Sequence, residues 1–128
     1  MSLQAIALVG LGGAAGSIAR YLLAGWTMAA AGPQKFPLGT FAVNIAGCLV
    51  AGLLAGLAER HPGWLSPDLR LLLFVGLLGG FTTFSAFGLE TAHLLRRGDG
   101  LLAAGYAGGS VVLGIAAVWL GLRLAGPP

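Results

Sequence analysis

Four long apolar stretches, almost free of charge, constrain this chain more than any other feature. Residues 38–58 and 101–122 carry no charged side chain, whereas residues 3–32 carry only Arg20 and residues 71–95 carry only Glu90. A helix of about 20 apolar residues crosses a hydrocarbon core of about 30 Å. The sequence therefore predicts four transmembrane helices, at about residues 3–31, 38–58, 68–95 and 101–124.

The composition excludes a soluble domain. Hydrophobic residues make up 57% of the chain, charged residues only 9%, and the mean hydropathy is +0.90, whereas about a quarter of the residues in soluble domains are charged. Short links join the apolar stretches, so we predict a single all-α integral membrane domain over residues 1–128. Cys48 is the only cysteine, which excludes an intrachain disulfide and a cysteine metal cluster.

The basic residues near the helix ends are evenly divided between the two sides of the membrane. Four spans place three of them on each side, Arg60, Arg70 and Arg123 against Lys35, Arg96 and Arg97. Because Lys and Arg in short loops set the orientation, this balance predicts insertion in both orientations. Two oppositely oriented copies would form the two-chain equivalent of an inverted-repeat transporter. We therefore predict an antiparallel, dual-topology homodimer.

Pairs of glycines four residues apart occur in each predicted helix. The pairs are Gly12 and Gly16, Gly52 and Gly56, Gly76 and Gly80, and Gly105 and Gly109. Small residues at this spacing allow helix backbones to approach closely within a membrane. We expect close helix packing at all four pairs.

The third apolar stretch is interrupted by residues 79–88, Gly-Gly-Phe-Thr-Thr-Phe-Ser-Ala-Phe-Gly. Irregular backbone at membrane depth occurs only where it is buried in protein or lines a wet cavity. We predict a break in the third helix near residues 79–83, with the functional site beside it. Phe84 and Phe87 share a helical face, and their rings either pack in the core or turn electropositive edges toward an anion path.

Polar residues elsewhere in the apolar stretches leave several interpretations open. Arg20 either extends to the interface, attracts anions near a pore mouth or bonds to carbonyl groups of a neighbouring helix. Thr40 and Asn44 share one face of the second helix, and Tyr106 and Ser110 share one face of the fourth. These faces either form interhelical hydrogen bonds or line a polar path.

Glu90 is the one acidic residue within the four apolar stretches, and His93 follows it by three positions. An intramembrane carboxylate relays protons, coordinates a cation or bonds to a neighbouring helix. Two candidate ligands do not make a metal site. We therefore predict no metal site at this pair.

Two motifs together resemble the Fluc family of fluoride channels, also called CrcB proteins. The first motif is Gly-Gly-Phe-Thr-Thr-Phe-Ser-Ala-Phe at residues 79–87, and the second is G-T-F-x-x-N-x-x-G at residues 39–47. Arg20 after a glycine-rich stretch, the length and the balanced charge agree with the same family. The resemblance implies a fluoride-selective channel for passive efflux across a prokaryotic inner membrane, and not an enzyme. It also implies an antiparallel homodimer with two pores and a structural sodium ion at its centre.

The resemblance also assigns roles to individual residues, and it implies fluoride, lipid and a second copy as partners, with no nucleic acid. Backbone carbonyls of Gly79 and Thr82 would bind sodium. The pore residues would be Asn44, Phe84, Phe87, Ser110, Thr40 and Tyr106, and the vestibule or supporting residues would be Arg20, Glu90, Thr83 and Ser85. Members of the family often carry a hydroxyl residue where this chain has Gly114, so we expect a shorter hydroxyl track or one completed by water. Ala86 also replaces a hydroxyl residue that some relatives carry.

The alternative function is a proton-coupled transporter of the small multidrug-resistance kind, which is also four-helical and dual-topology. That family depends on a glutamate in its first helix. This chain has no acidic residue there, so Glu90 would have to replace it.

Overall fold

The computed structural model describes residues 1–128 and contains helices but no strands. Helix α1 comprises Leu3–Ala31 and helix α2 comprises Leu38–Arg60. The third span is divided into α3, residues 67–81, and α4, Phe84–Arg96. Helix α5 comprises Gly100–Ala125. Four spans are long and apolar enough to cross a membrane, which confirms an all-α chain with four membrane-spanning helices.

Local signals start and end these helices. The Ser66 hydroxyl accepts a hydrogen bond from the Leu69 amide at 3.2 Å, and Pro67 takes the first helical position. This arrangement satisfies one free amide of the first turn. Gly32 and Gly98 follow helix ends with φ of 72° and 82°, a region that favours glycine.

Helix α3 changes its geometry along its length. It begins as an α-helix over Pro67–Arg70, continues as a π-helix over Leu71–Leu78 and returns to α-helical geometry over Gly79–Phe81. Thr82 and Thr83 then adopt extended backbone, with φ/ψ of −85°/156° and −148°/121°. Helical geometry resumes at Phe84.

Glycines bring α1 against α3 and α2 against α5. A Cβ on Gly16 would lie 2.8 Å from the Phe81 amide nitrogen, and one on Gly121 would lie 2.6 Å from the Leu53 amide nitrogen. Backbone atoms cannot move aside as a flexible side chain can, so both sites require glycine. Three of the predicted glycine pairs lie at such contacts, but Gly105 has no atom within 4 Å of its would-be Cβ. The expectation of close packing was therefore wrong at that glycine.

A small buried cluster joins α4 to α5. Tyr106 is fully buried and packs with Leu94 and Ala103, while Phe36 and Phe87 cover the cluster. The outward helix faces carry large exposed apolar side chains, including Trp26 and Trp119. Lipid would cover such faces in a membrane, so the chain is organised as a multi-pass membrane protein.

Candidate functional site

Asn44 on α2 binds both backbone groups of Thr83 between α3 and α4. The Thr83 amide donates to Asn44 Oδ1 at 2.9 Å, and Asn44 Nδ2 donates to the Thr83 carbonyl at 3.1 Å. An asparagine side chain has a donor and an acceptor side by side, so it can satisfy both groups at once. Gly47, one turn along α2, leaves room for the Thr82 methyl group, which a Cβ at that position would overlap.

Two backbone amides in this region donate to side-chain oxygens and not to the carbonyls that a continuous helix would provide. In an unbroken helix, the Thr83 amide would donate to the Gly79 carbonyl and the Ala86 amide to the Thr82 carbonyl. Here the Ala86 amide donates to Thr83 Oγ1 at 3.2 Å instead, and the Thr83 amide donates to Asn44. The carbonyls of Gly79 and Thr82 therefore lack their helical donors. Free carbonyl oxygens are hard ligands, so this donor set fits a hard cation such as sodium.

Arg20 on α1 contacts the same part of α3. Its Nε donates to the Gly80 carbonyl at 3.1 Å, and the Ser17 hydroxyl lies 3.5 Å from that oxygen. Of the three interpretations open for Arg20, the structure therefore shows the bond to a carbonyl of a neighbouring helix. Arg20 also lines a cavity of about 440 Å³ between α1 and α2, which Thr40 and Thr83 share. One guanidinium thus both supports the backbone and places positive charge in a cavity.

Glu90 on α4 joins three helices through its two carboxylate oxygens. Thr40 Oγ1 on α2 donates to Oε1, and the Tyr106 hydroxyl on α5 donates to Oε2, both at 2.7 Å. Glu90 also borders a cavity of about 220 Å³, together with Lys35, His93 and Arg97 among others. No group of three or more His, Cys, Asp or Glu side chains is placed to hold a metal ion.

Phe84 and Phe87 form one wall of a groove beside the extended residues. Their ring centroids lie 5.5 Å apart with planes inclined by 37°, and the Phe87 ring lies 5.2 Å from that of Tyr106. The groove has a volume of about 280 Å³ and eight lining residues: Asn44, Cys48, Thr82, Thr83, Phe84, Phe87, Ser110 and Val111. No lining side chain is formally charged. The Ser110 oxygen is buried and has no hydrogen-bond partner.

Comparison with known proteins identifies the family. Residues 7–122 match the model of the family described as "CrcB-like protein, Camphor Resistance (CrcB)". The chain belongs to the CrcB family. This CrcB chain is 56% identical over 119 residues to a protein of Methylobacillus flagellatus named "Fluoride-specific ion channel FluC", covering 93% of this chain and 92% of that protein.

Two further relatives of this CrcB chain agree. A protein of Nitratidesulfovibrio vulgaris with the same name is 52% identical over 120 residues, 94% of this chain and 95% of its own length. "Fluoride-specific ion channel FluC 1" of Symbiobacterium thermophilum is 50% identical over 117 residues, 91% and 94% of the two chains. The family resemblance is confirmed. Because these relatives are named as ion channels, the expectation that the chain is not an enzyme is confirmed as well.

The predicted site residues of this CrcB chain fall into neighbouring groups. The groove collects Asn44, Thr82, Thr83, Phe84, Phe87 and Ser110. Thr40 and Arg20 line the cavity between α1 and α2, and Glu90 borders a third cavity. Tyr106 is fully buried, and its ring packs against that of Phe87 in the groove. Gly79 is exposed and borders none of the three. Ser85 is exposed, with its hydroxyl 3.3 Å from that of Thr83.

Sequence reasoning missed two polar residues at these sites, Ser17 and Cys48. Cys48 lies four residues after Asn44, so helical spacing on α2 already placed both on one face. Ser17 stands three residues before Arg20, and the same spacing indicated its side of α1. Small polar side chains are common in membrane helices, so the residue type alone did not distinguish either position.

Proposed function

We propose that this chain is a fluoride-selective ion channel that permits passive efflux across the cell membrane. The observation that supports this most is the groove, where two phenylalanine rings face an asparagine, a serine and two threonines without any formal charge. Three relatives with half or more of their aligned residues identical carry the name of a fluoride-specific channel. Neutral donors and ring edges are suited to an anion that must bind briefly and then leave.

The chemistry of the groove favours a small, strongly hydrated anion. Fluoride loses much of its water in a narrow passage, and the protein must replace those contacts. The edge of an aromatic ring is electropositive, so Phe84 and Phe87 would supply part of that stabilisation. The Ser110 hydroxyl has no protein partner and is free to donate to an ion. A full positive charge at this place would hold the anion too strongly for conduction.

The working unit in this proposal is an antiparallel homodimer with two pores. Phe84 keeps 83% of its surface exposed in a single chain, although it forms a wall of the groove. A second copy seated on this side would cover that ring and close the groove. The even division of basic residues between the two sides supports opposite orientations of the two copies.

A structural sodium ion at the dimer centre completes the proposal. The carbonyls of Gly79 and Thr82 lack their helical donors, and the same two carbonyls of a partner would complete a set of oxygen ligands. When bound, the ion would supply a fixed positive charge that stabilises the extended residues. We place the protein in a prokaryotic inner membrane, where passive efflux of fluoride would give fluoride resistance.

Replacement of the groove phenylalanines tests the proposed conduction path. We expect Phe87→Ile to suppress fluoride efflux from liposomes, because a branched aliphatic side chain has no electropositive edge. The matched control is Phe74→Ile, since Phe74 lies on α3 outside the groove. Dimer content is checked by size-exclusion chromatography. Efflux through Phe87→Ile equal to that of the unchanged chain would rule out the ring-edge path.

Topology reporters test the antiparallel pairing separately. A C-terminal tag active on only one side of the membrane is compared with a tag active on the other side. We expect signal from both tags in comparable amounts. Signal from a single side would contradict the antiparallel homodimer while leaving the groove chemistry to the efflux assay.

A further inference from the structure

The groove contains one polar side chain without an assigned role, the thiol of Cys48. Cys48 lies on α2 one turn beyond Asn44 and is only partly buried. It faces the groove together with Asn44 and Ser110. A cysteine that served packing alone would be covered by neighbouring atoms, whereas this thiol borders the same space as the phenylalanine rings.

Helix α5 faces the thiol and lacks a side chain at the position beside it. Ser110 on α5 has a buried oxygen without a hydrogen-bond partner, and the next residue on the same face is Gly114. Gly114 contributes no side chain, and a Cβ built on it would lie 3.4 Å from Cys48 Sγ. The thiol of α2 therefore stands beside the place where a side chain of α5 would otherwise project. Polar groups thus continue from Ser110 to Cys48 across the two helices.

We propose that the Cys48 thiol is a lining group of the anion path and takes the position that Gly114 leaves without a side chain. This inference rests on the proposed channel function. A thiol donates a weak hydrogen bond through S–H, so Cys48 would contact the ion after it leaves Ser110. At this place the ion path then needs one polar side chain, which either position 48 on α2 or position 114 on α5 can supply.

Fluoride efflux from liposomes tests this complementarity. Cys48→Ala removes the donor, and we expect efflux to fall about fivefold, the effect of roughly one lost hydrogen bond. Cys48→Ser should restore the rate. Cys48→Gly combined with Gly114→Ser moves the polar group to α5 and should also restore it, because removal of the thiol clears the space beside Gly114. Efflux through Cys48→Ala equal to that of the unchanged chain would overturn the inference.

Thiol modification provides a readout that a packing role would not change. The chain has a single cysteine, so methyl methanethiosulfonate can react only at Cys48. The thiolate attacks the reagent's sulfenyl sulfur, a disulfide forms and methanesulfinate leaves. We expect fluoride to slow this reaction, whereas chloride at the same concentration should leave its rate unchanged. Equal rates with both ions would contradict contact between the thiol and the fluoride path.

The two assays also separate this inference from the proposed function. Absence of fluoride efflux through the unchanged chain would remove both proposals. Normal efflux through the unchanged chain together with normal efflux through Cys48→Ala would remove only the role of Cys48. If Cys48→Ala fails to assemble, the combined Cys48→Gly and Gly114→Ser variant decides, since efflux lost from an assembled dimer would also overturn the inference.

Discussion

Replacement of Asn44 by leucine should abolish the geometry on which the groove depends. Asn44 pairs with both the amide and the carbonyl of Thr83, at 2.9 and 3.1 Å. Leucine has a similar size but can satisfy neither group. If the helix continued through this region, the Thr83 amide would donate to the Gly79 carbonyl instead. The Gly79 carbonyl, one of the two that lack a helical donor, would then accept a hydrogen bond.

The magnitude follows from the two lost bonds. A buried backbone group without a partner costs about 1–3 kcal/mol. Both Asn44 bonds are only partly buried, so the lower limit applies to each, and the loss is about 2 kcal/mol. Since about 1.4 kcal/mol corresponds to a factor of ten, the ratio of the present geometry to the continued helix should fall about 30-fold.

Fluoride efflux from liposomes and the dimer fraction on size-exclusion chromatography measure this effect. Thr27→Val is the control, because the Thr27 hydroxyl donates only to the Leu23 carbonyl of its own helix. We expect the control to retain efflux and Asn44→Leu to lose at least about tenfold, within the 30-fold shift derived above. Efflux through Asn44→Leu within about twofold of the unchanged chain would refute the reasoning, because a twofold change corresponds to only about 0.4 kcal/mol.

Three further changes probe the packing and the charged residues. Gly16→Ala places a Cβ 2.8 Å from a backbone nitrogen and should lower thermal stability by about 1–3 kcal/mol. Its control is Gly10→Ala, which has no atom within 4 Å and should not lower the melting temperature, because alanine is favoured over glycine inside a helix. Glu90→Gln replaces one of two hydroxyl-accepting oxygens by an amide donor, so efflux should fall; an unchanged rate would mean that the carboxylate serves only packing. Arg20→Gln removes the bond to the Gly80 carbonyl and should weaken assembly on size-exclusion chromatography, with an intact dimer as the contrary result.

Features decided by nearby residues were predictable from the sequence. The four apolar stretches became four helices because the length and polarity of a span are local properties. The cap at Ser66 is also a local feature, because it needs only a serine directly before a proline at the first helical position. Family membership followed from two motifs around Phe84 and Asn44, and the comparisons confirmed it.

Features decided by distant contacts were not predictable. Nothing in residues 71–78 distinguishes the π-helix from an α-helix. Asn44 was expected either to bond to another helix or to line a path, and only the packing of α2 shows that its partner is the Thr83 backbone. Gly105 has the same spacing as the other glycine pairs but meets no neighbour. Spacing gives the face of a helix, and the tertiary fold decides what that face meets.

Electrical recording from the purified chain in planar bilayers tests the central claim most directly. Symmetric pH removes any proton gradient, and fluoride on one side is set against chloride on the other. We expect a fluoride current whose reversal potential follows the fluoride gradient and hardly responds to chloride. No fluoride current, a current that requires a proton gradient, or equal permeability to the two anions would contradict it.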